Sequence, residues 1–240
     1  MVEFRHRKSK MQAEESIPFV SLDSKDSEVS SFLLNFSELP KWLKDNNYIL
    51  TGYRSPTFSY RKCAESLLYI HNQTGNIYSH LLGAALFFGI AIFTRVHVLS
   101  QFETTHWSDI AVMYIFMFGA ISCLCFSTLF HTFICHSERV SVNWNRCDYV
   151  GIVFLIVGSY FPAVNYAFYC SNKWKMVYLS FIVIFGTATA IMSIARRFGT
   201  PEYRWIRTNL FLAMGLSGIC PLGHALWING VSRALEYPRY

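Results

Sequence analysis

Charged side chains are scarce in this sequence of 240 residues, of which only 15% are Asp, Glu, Lys or Arg. A soluble domain normally carries about 25% charged residues. Charges are absent, or nearly absent, from five long runs of apolar residues: 77–93, 110–134, 149–169, 174–194 and 210–228. This pattern excludes an ordinary soluble globular domain.

The apolar runs are long enough to cross a membrane as helices, since a bilayer core requires roughly 17–25 helical residues. We therefore predict an all-α fold, a polytopic helical membrane bundle with five transmembrane helices inside residues 76–230. With their flanking residues, the predicted spans are 76–94, 110–135, 148–169, 174–195 and 207–229.

The residues before the bundle are more polar. We predict a cytosolic or interfacial segment at 31–75, in which the pattern of 59–73 is typical of an amphipathic helix at a membrane surface. Residues 1–30 are charged and serine-rich, so we expect a disordered cytosolic tail there. Residues 231–240 are expected to form a short tail.

The sequence also lacks two common extracellular signals. None of the seven cysteines forms a Cys-X-X-Cys motif, so we predict free thiols that pack as small apolar groups. The N-terminus has basic residues but no apolar run followed by a cleavage site. We therefore predict no removable signal peptide.

Basic residues are concentrated on one side of the predicted bundle. Residues 1–75 and the loops at 136–147 and 195–207 hold 16 of the 21 Lys and Arg residues. Because basic loops remain in the cytosol, this bias places the N-terminus there. The net charge of +6 thus reflects membrane topology, and we expect no nucleic-acid partner.

A polar stretch at 127–148 joins the second and third predicted spans and reads STLFHTFICHSERVSVNWNRCD. His131 follows Ser127 by one helical turn, or about 6 Å. A polar hairpin at 137–147 is expected to return the chain, so that Asp148 opens the next helix at the same depth. Because polar groups in a membrane are costly, these three side chains are candidate functional residues.

The residue types leave several roles open. His131 is either a hydrogen-bonded histidine at a helix end or a metal ligand through its neutral imidazole. Asp148 is a metal partner, a carboxylate that orients a metal-bound water, or a helix cap. Ser127 positions a substrate or bonds back to the preceding turn. One histidine alone is not a catalytic zinc site, which needs three protein ligands.

Other polar residues have simpler interpretations. We expect His80 to cap a helix end or contact lipid headgroups, and Asn76 to cap the first span. His136 is expected to be solvated in a loop. His224 lies far along the fifth span, so it is predicted at the opposite end of the bundle from His131.

Six motifs together indicate a family. They read WLKDNNYILTGYR, HNQTGNIYSHLLG, CFSTLFHTFICHSE, DYVGIVFLIVGS, RFGTPEYRWIR and FLAMGLSGICPLGH. Over about residues 39–229, the chain resembles the progestin and adipoQ receptor family, and within it the adiponectin receptors, which are related to the haemolysin III type of membrane protein.

The resemblance implies seven transmembrane helices, a cytosolic N-terminus and a zinc ion. Zinc would be held by one histidine of the second helix and by two in an HxxxH motif of the seventh. His131 matches the first of these ligands. Asp148 matches the carboxylate that interacts through the zinc-bound water, and Ser127 matches the serine one turn before the histidine. The implied reaction is zinc-assisted hydrolysis of the amide bond of ceramide.

The sequence departs from this pattern after the fifth span, because nothing there supplies HxxxH. We therefore expect an incomplete chain with five of seven helices, which is inactive and holds no stable zinc. The implied partners are the lipid membrane, a ceramide-like substrate, an adiponectin-like extracellular ligand and a cytosolic adaptor at the N-terminal segment.

The resemblance leaves the biological role open. Besides a receptor with ceramidase activity, it is compatible with a non-enzymatic receptor or scaffold that has a structural zinc. A tethering protein of the Golgi or ER is a third alternative. The expected location is the plasma membrane, with the Golgi or ER as the alternative.

Overall fold

The computed structural model describes residues 33–98 and 106–230. Five helical stretches in this part of the chain are long and apolar enough to cross a membrane, which confirms the predicted helical membrane bundle. The tails predicted at 1–30 and 231–240 lie outside the described residues, and the segment predicted at 31–75 is described from Leu33 onward.

The α-helices are α1 (Tyr60–Glu65), α2 (Thr74–Phe93), α3 (Trp107–Phe133), α4 (Glu138–Ala167), α5 (Asn172–Ile194), α6 (Arg204–Leu216) and α7 (Ile219–Asn229). Helices α6 and α7 together form the fifth candidate span. Two short strands, β1 (Leu33–Leu34) and β2 (Tyr53–Arg54), pair antiparallel, with Leu33 opposite Arg54. This small ribbon is an addition to the predicted all-α fold.

Helix α4 corrects the prediction for the polar stretch. It begins at Glu138, ten residues before Asp148, so the predicted hairpin at 137–147 is wrong and Asp148 does not cap the helix. The stretch contains no Gly or Pro, and Glu138 lies in the first turn, where a negative charge favours the helix. The polar residues of this stretch follow the end of an apolar run, but they form the first turns of α4 instead of a hairpin.

The short helix expected before the bundle is present within 59–73 as α1, followed by one 3-10 turn, Ser66–Leu68, and the side chains of Leu68 and Ile70 are largely exposed. The prediction that Asn76 caps the first span is wrong. Helix α2 begins at Thr74 with Gln73 as its N-cap residue, so Asn76 lies inside the helix.

Helices α3 and α4 pack closely along their length. A Cβ atom added at Gly151 would lie 2.8 Å from the Cα of Cys123, and one added at Gly119 would clash with the backbone of Phe154. Small residues permit such close helix contacts in membranes. The antiparallel pairing of α3 and α4 therefore rests on positions where only glycine fits.

The outer faces of the helices carry large apolar side chains. Exposed examples occur on each of the long helices: Leu82, Phe88, Phe118, Phe154, Ile184, Leu212 and Trp227. Exposed apolar surface of this extent in a soluble monomer would favour association, whereas the acyl chains of a bilayer cover it without cost. The pattern agrees with five spans in contact with lipid.

The segment 33–73 packs against the end of α3 through Arg54, which is buried. Its guanidinium donates hydrogen bonds to the carbonyl of His131 at 2.6 Å, the carbonyl of Thr132 at 3.0 Å and the Ser66 hydroxyl at 2.7 Å. The last carbonyls of a helix have no intrahelical donor, so Arg54 satisfies two of them. Burial lowers the pKa of Arg54 from its usual value, yet arginine remains charged at neutral pH.

A second group of contacts links the same segment to the residues after α3. The sulfurs of Cys63 and Cys135 lie 3.6 Å apart in a fully buried position, and both thiols are free. The backbone N–H of Phe58 donates to the carbonyl of His136, whose ring packs 4.4 Å from that of Tyr60. His136 therefore lies in a loop, as expected, but it is half-buried against Tyr60 instead of being fully solvated.

Replacement of Gly151 by alanine is expected to destabilise the protein by about 1–3 kcal/mol, because the methyl group would force α3 and α4 apart. The measurement is the free energy of unfolding in detergent micelles. Gly89→Ala is the control, since a Cβ there would meet nothing within 4 Å. Equal stability of the two variants would contradict close packing of α3 on α4.

Arg54→Met is expected to lower the free energy of unfolding in detergent micelles by on the order of 3 kcal/mol. The reason is that it leaves two buried carbonyl acceptors without a charged donor. Arg61→Met is the matched control, since Arg61 is exposed and forms a surface ion pair with Glu65. Limited proteolysis of the segment 33–73 provides the second measurement. A segment that resists proteolysis equally in both variants would show that Arg54 does not anchor it.

His71 gives the segment a pH-dependent stability. Burial, with a smaller effect of the Arg54 charge, lowers the pKa of His71 to about 4. Because the unfolded chain binds this proton at about pH 6.5, the stabilisation is complete above that pH and is lost as the pH falls towards 4. The midpoint temperature of thermal unfolding should therefore decrease between pH 7 and pH 5. It should decrease less in the His71→Asn variant.

Candidate functional site

The candidate residues come together where the start of α2, the end of α3 and the first third of α4 meet. Ser127 is buried on α3, and its side chain interacts with the carboxylate of Asp148 on α4. The hydroxyls of Thr128 and Thr132 on the same helix bond back to the preceding turn instead. The structure therefore places Ser127 beside Asp148, although α4 begins earlier than predicted.

His131 lies one turn after Ser127 on α3 and is half-buried. Its Nδ1 atom is 2.8 Å from the Oε1 atom of Gln73, the residue before α2. The backbone carbonyl of His131 accepts the hydrogen bond from Arg54. Both the ring and the backbone of His131 are thus held by the segment 33–73.

His80 is a member of the site that sequence reasoning missed. It lies within α2, with its ring centroid 5.9 Å from that of His131, and it interacts electrostatically with Asp148. Its Nδ1 atom is buried and has no hydrogen-bond partner among the described residues. The expected role at a helix end or on lipid headgroups is therefore wrong. The sequence signal that could have identified His80 is its position near the same end of the bundle as His131.

We refer to Ser127, His131, Asp148 and His80 as the polar cluster. Among the residues the structure describes, no group of three His, Cys, Asp or Glu side chains could hold a metal ion. A zinc ion nevertheless suits the nitrogen donors that are present, namely the Nε2 atom of His131 and the unpartnered Nδ1 atom of His80. The cluster fits one side of a zinc site, and a catalytic zinc needs three protein ligands.

His224 lies away from the polar cluster, as expected. Its Nδ1 atom is 2.9 Å from the Tyr178 hydroxyl, and its ring packs 4.4 Å from that of Trp174. Both partners belong to the first turns of α5, which follow the end of α4. His131 instead lies next to the start of α4, so the two histidines occupy opposite ends of the bundle.

Comparison with known proteins identifies relatives over most of the chain. The chain is 37% identical over 211 residues to an adiponectin receptor protein of Drosophila melanogaster, covering 86% of the chain and 47% of that protein. It is 36% identical to the progestin and adipoQ receptor-like protein 1 of Caenorhabditis elegans, covering 83% of the chain and 45% of the relative. The human progestin and adipoQ receptor family member 3 is also 36% identical, with 82% and 63% covered.

The chain thus spans about half the length of the first two of these relatives. The profile of the haemolysin-III related family matches residues 68–238, a region that includes every helix from α2 to α7. The match confirms the resemblance inferred from the six motifs. The chain therefore belongs to the haemolysin-III related family of helical membrane proteins, together with the adiponectin receptors and the progestin and adipoQ receptors.

Proposed function

We propose that this chain is part of an adiponectin receptor-like membrane receptor with zinc-dependent lipid amide hydrolase activity, and that ceramide is its class of substrate. The observation that supports this proposal is the polar cluster at one end of a bundle whose outer faces are apolar. Ionisable groups at such a position are costly and mark functional sites by default. The relatives named as adiponectin receptors favour the receptor role.

His131 would hold the zinc through its Nε2 atom, and the two further histidine ligands of the family pattern would come from outside the described residues, with the Nδ1 atom of His80 nearby. When bound, zinc lowers the pKa of a water molecule to about 7 and polarises a carbonyl group. Asp148 would accept a hydrogen bond from the attacking water and receive its proton, as a general base does. The Ser127 hydroxyl, which interacts with this carboxylate, would hold it in position.

The surroundings of the polar cluster suit a lipid substrate. The exposed faces of α2 and α3 are apolar, so a ceramide-like molecule could approach laterally from the bilayer.

The charge bias favours a cytosolic position for the N-terminus and for the polar cluster. An adiponectin-like ligand would then bind on the opposite side, and an adaptor would bind the N-terminal segment. We propose the plasma membrane as the location, with the Golgi or ER as the alternative.

The experiment is ceramide turnover by the purified protein that contains all helices of the family, reconstituted in lipid. We expect His131→Ala and Asp148→Asn each to lower turnover by about 100-fold or more, because each removes a group that acts on the water. His97→Ala is the control and should retain activity, because His97 is exposed in the helical turn Thr94–Val98 that continues α2. Turnover that survives both site substitutions would exclude the hydrolase and favour the non-enzymatic receptor.

The chain of 240 residues provides a separate test of the zinc ligands. We expect no stoichiometric zinc in the purified chain by metal analysis, because the described residues hold no group of three ligands. Stoichiometric zinc that disappears in His131→Ala would contradict this expectation, and it would show that the polar cluster itself completes the site.

A further inference from the structure

We infer that Gln73 is a positioning residue, which, together with Asn76, fixes the neutral His131 ring in the tautomer that carries its hydrogen on Nδ1. The free electron pair of His131 then lies on Nε2. The consequence of this arrangement for zinc rests on the proposed function, whereas the tautomer itself is a property of the chain without any metal.

The hydrogen bonds around Gln73 define which atom donates. The Nδ2 amide group of Asn76 donates to the Oε1 atom of Gln73 at 2.9 Å, so the oxygen of the Gln73 amide is shared between Asn76 and His131. The same oxygen lies 2.8 Å from the Nδ1 atom of His131. Because an amide oxygen can only accept, the Nδ1 atom of His131 must be the donor.

A neutral imidazole carries hydrogen on only one of its two nitrogens. With Nδ1 committed to Gln73, Nε2 is the atom left to accept a hydrogen bond or to bind a metal. Histidine ligands in metal sites usually donate the N–H of their other nitrogen to an oxygen, which sets the ring orientation and raises the basicity of the ligand atom. Gln73 has the chemistry and the distance for this role.

Backbone hydrogen bonds hold Gln73 in position. Its backbone N–H donates to the Nδ1 atom of the buried His71 at 3.1 Å, and the neighbouring N–H of Asn72 donates to the carbonyl of Gly52 at 2.8 Å. Arg54, two residues after Gly52, binds the backbone carbonyl of His131. The segment 33–73 therefore holds both partners of the Gln73–His131 hydrogen bond and sets their separation.

The tautomer can be read directly from the ¹⁵N chemical shifts of the histidine ring in the metal-free chain of 240 residues, labelled at histidine and held in detergent micelles. His131→Phe assigns the signals. We expect the Nδ1–H tautomer in the wild type, a shift of the population towards Nε2–H in Gln73→Met, and the wild-type tautomer in Gln73→Glu, which retains an acceptor oxygen.

Two more variants test the role of the amide network. Asn76→Leu should produce a mixture of tautomers, because nothing then determines which end of the Gln73 amide faces His131. Asn143→Leu is the matched control, since this exposed amide accepts a hydrogen bond from Arg146, away from Gln73, and its loss should leave the tautomer unchanged. Circular dichroism of each variant checks that the helices are retained.

A wild-type His131 with hydrogen on Nε2, or a Gln73→Met variant that keeps the Nδ1–H tautomer, would overturn the inference. Loss of the proposed hydrolase activity would not affect this result, because the tautomer is measured without metal or substrate. In the protein with all family helices, zinc affinity should fall by about 10–100-fold in Gln73→Met and recover in Gln73→Glu. An unchanged affinity in Gln73→Met would refute the positioning role towards zinc.

Discussion

The contact between Arg54 and the last turn of α3 is the interaction on which the candidate site depends. The carbonyls of His131 and Thr132 end a helix at the edge of a membrane span, where water is scarce and an unpaired carbonyl is costly. One buried guanidinium satisfies both. Because Arg54 belongs to the second strand of a small ribbon, it fixes the whole segment 33–73 against this helix end.

That attachment explains why the polar cluster has three contributing helices. The segment leads directly into α2, so Gln73 reaches the ring of His131 and His80 lies beside it. Close packing at Gly151 then brings α4 against α3 and places Asp148 next to Ser127. The four members lie on three helices, and α3, which carries Ser127 and His131, contacts both of the others.

Part of this arrangement was predictable from local spacing and part was not. Ser127 and His131 share a helix face because four residues make one turn. Asp148 was predicted at the right depth on a wrong premise, since the chain reverses before Glu138 and polar residues extend α4. His80 and Gln73 were missed because their importance depends on how α2 packs on α3, and no spacing within either helix encodes that distance.

By itself, the sequence determined the membrane class, the number of apolar spans in this chain and the family, because length, apolar composition and combined motifs are properties of the chain alone. The tertiary structure decided which polar groups meet. An unpartnered nitrogen on His80 and an amide oxygen facing His131 arise only when separate helices are packed together. A hydrogen bond depends on the distance between two atoms, and residues 58 positions apart acquire that distance only in the folded chain.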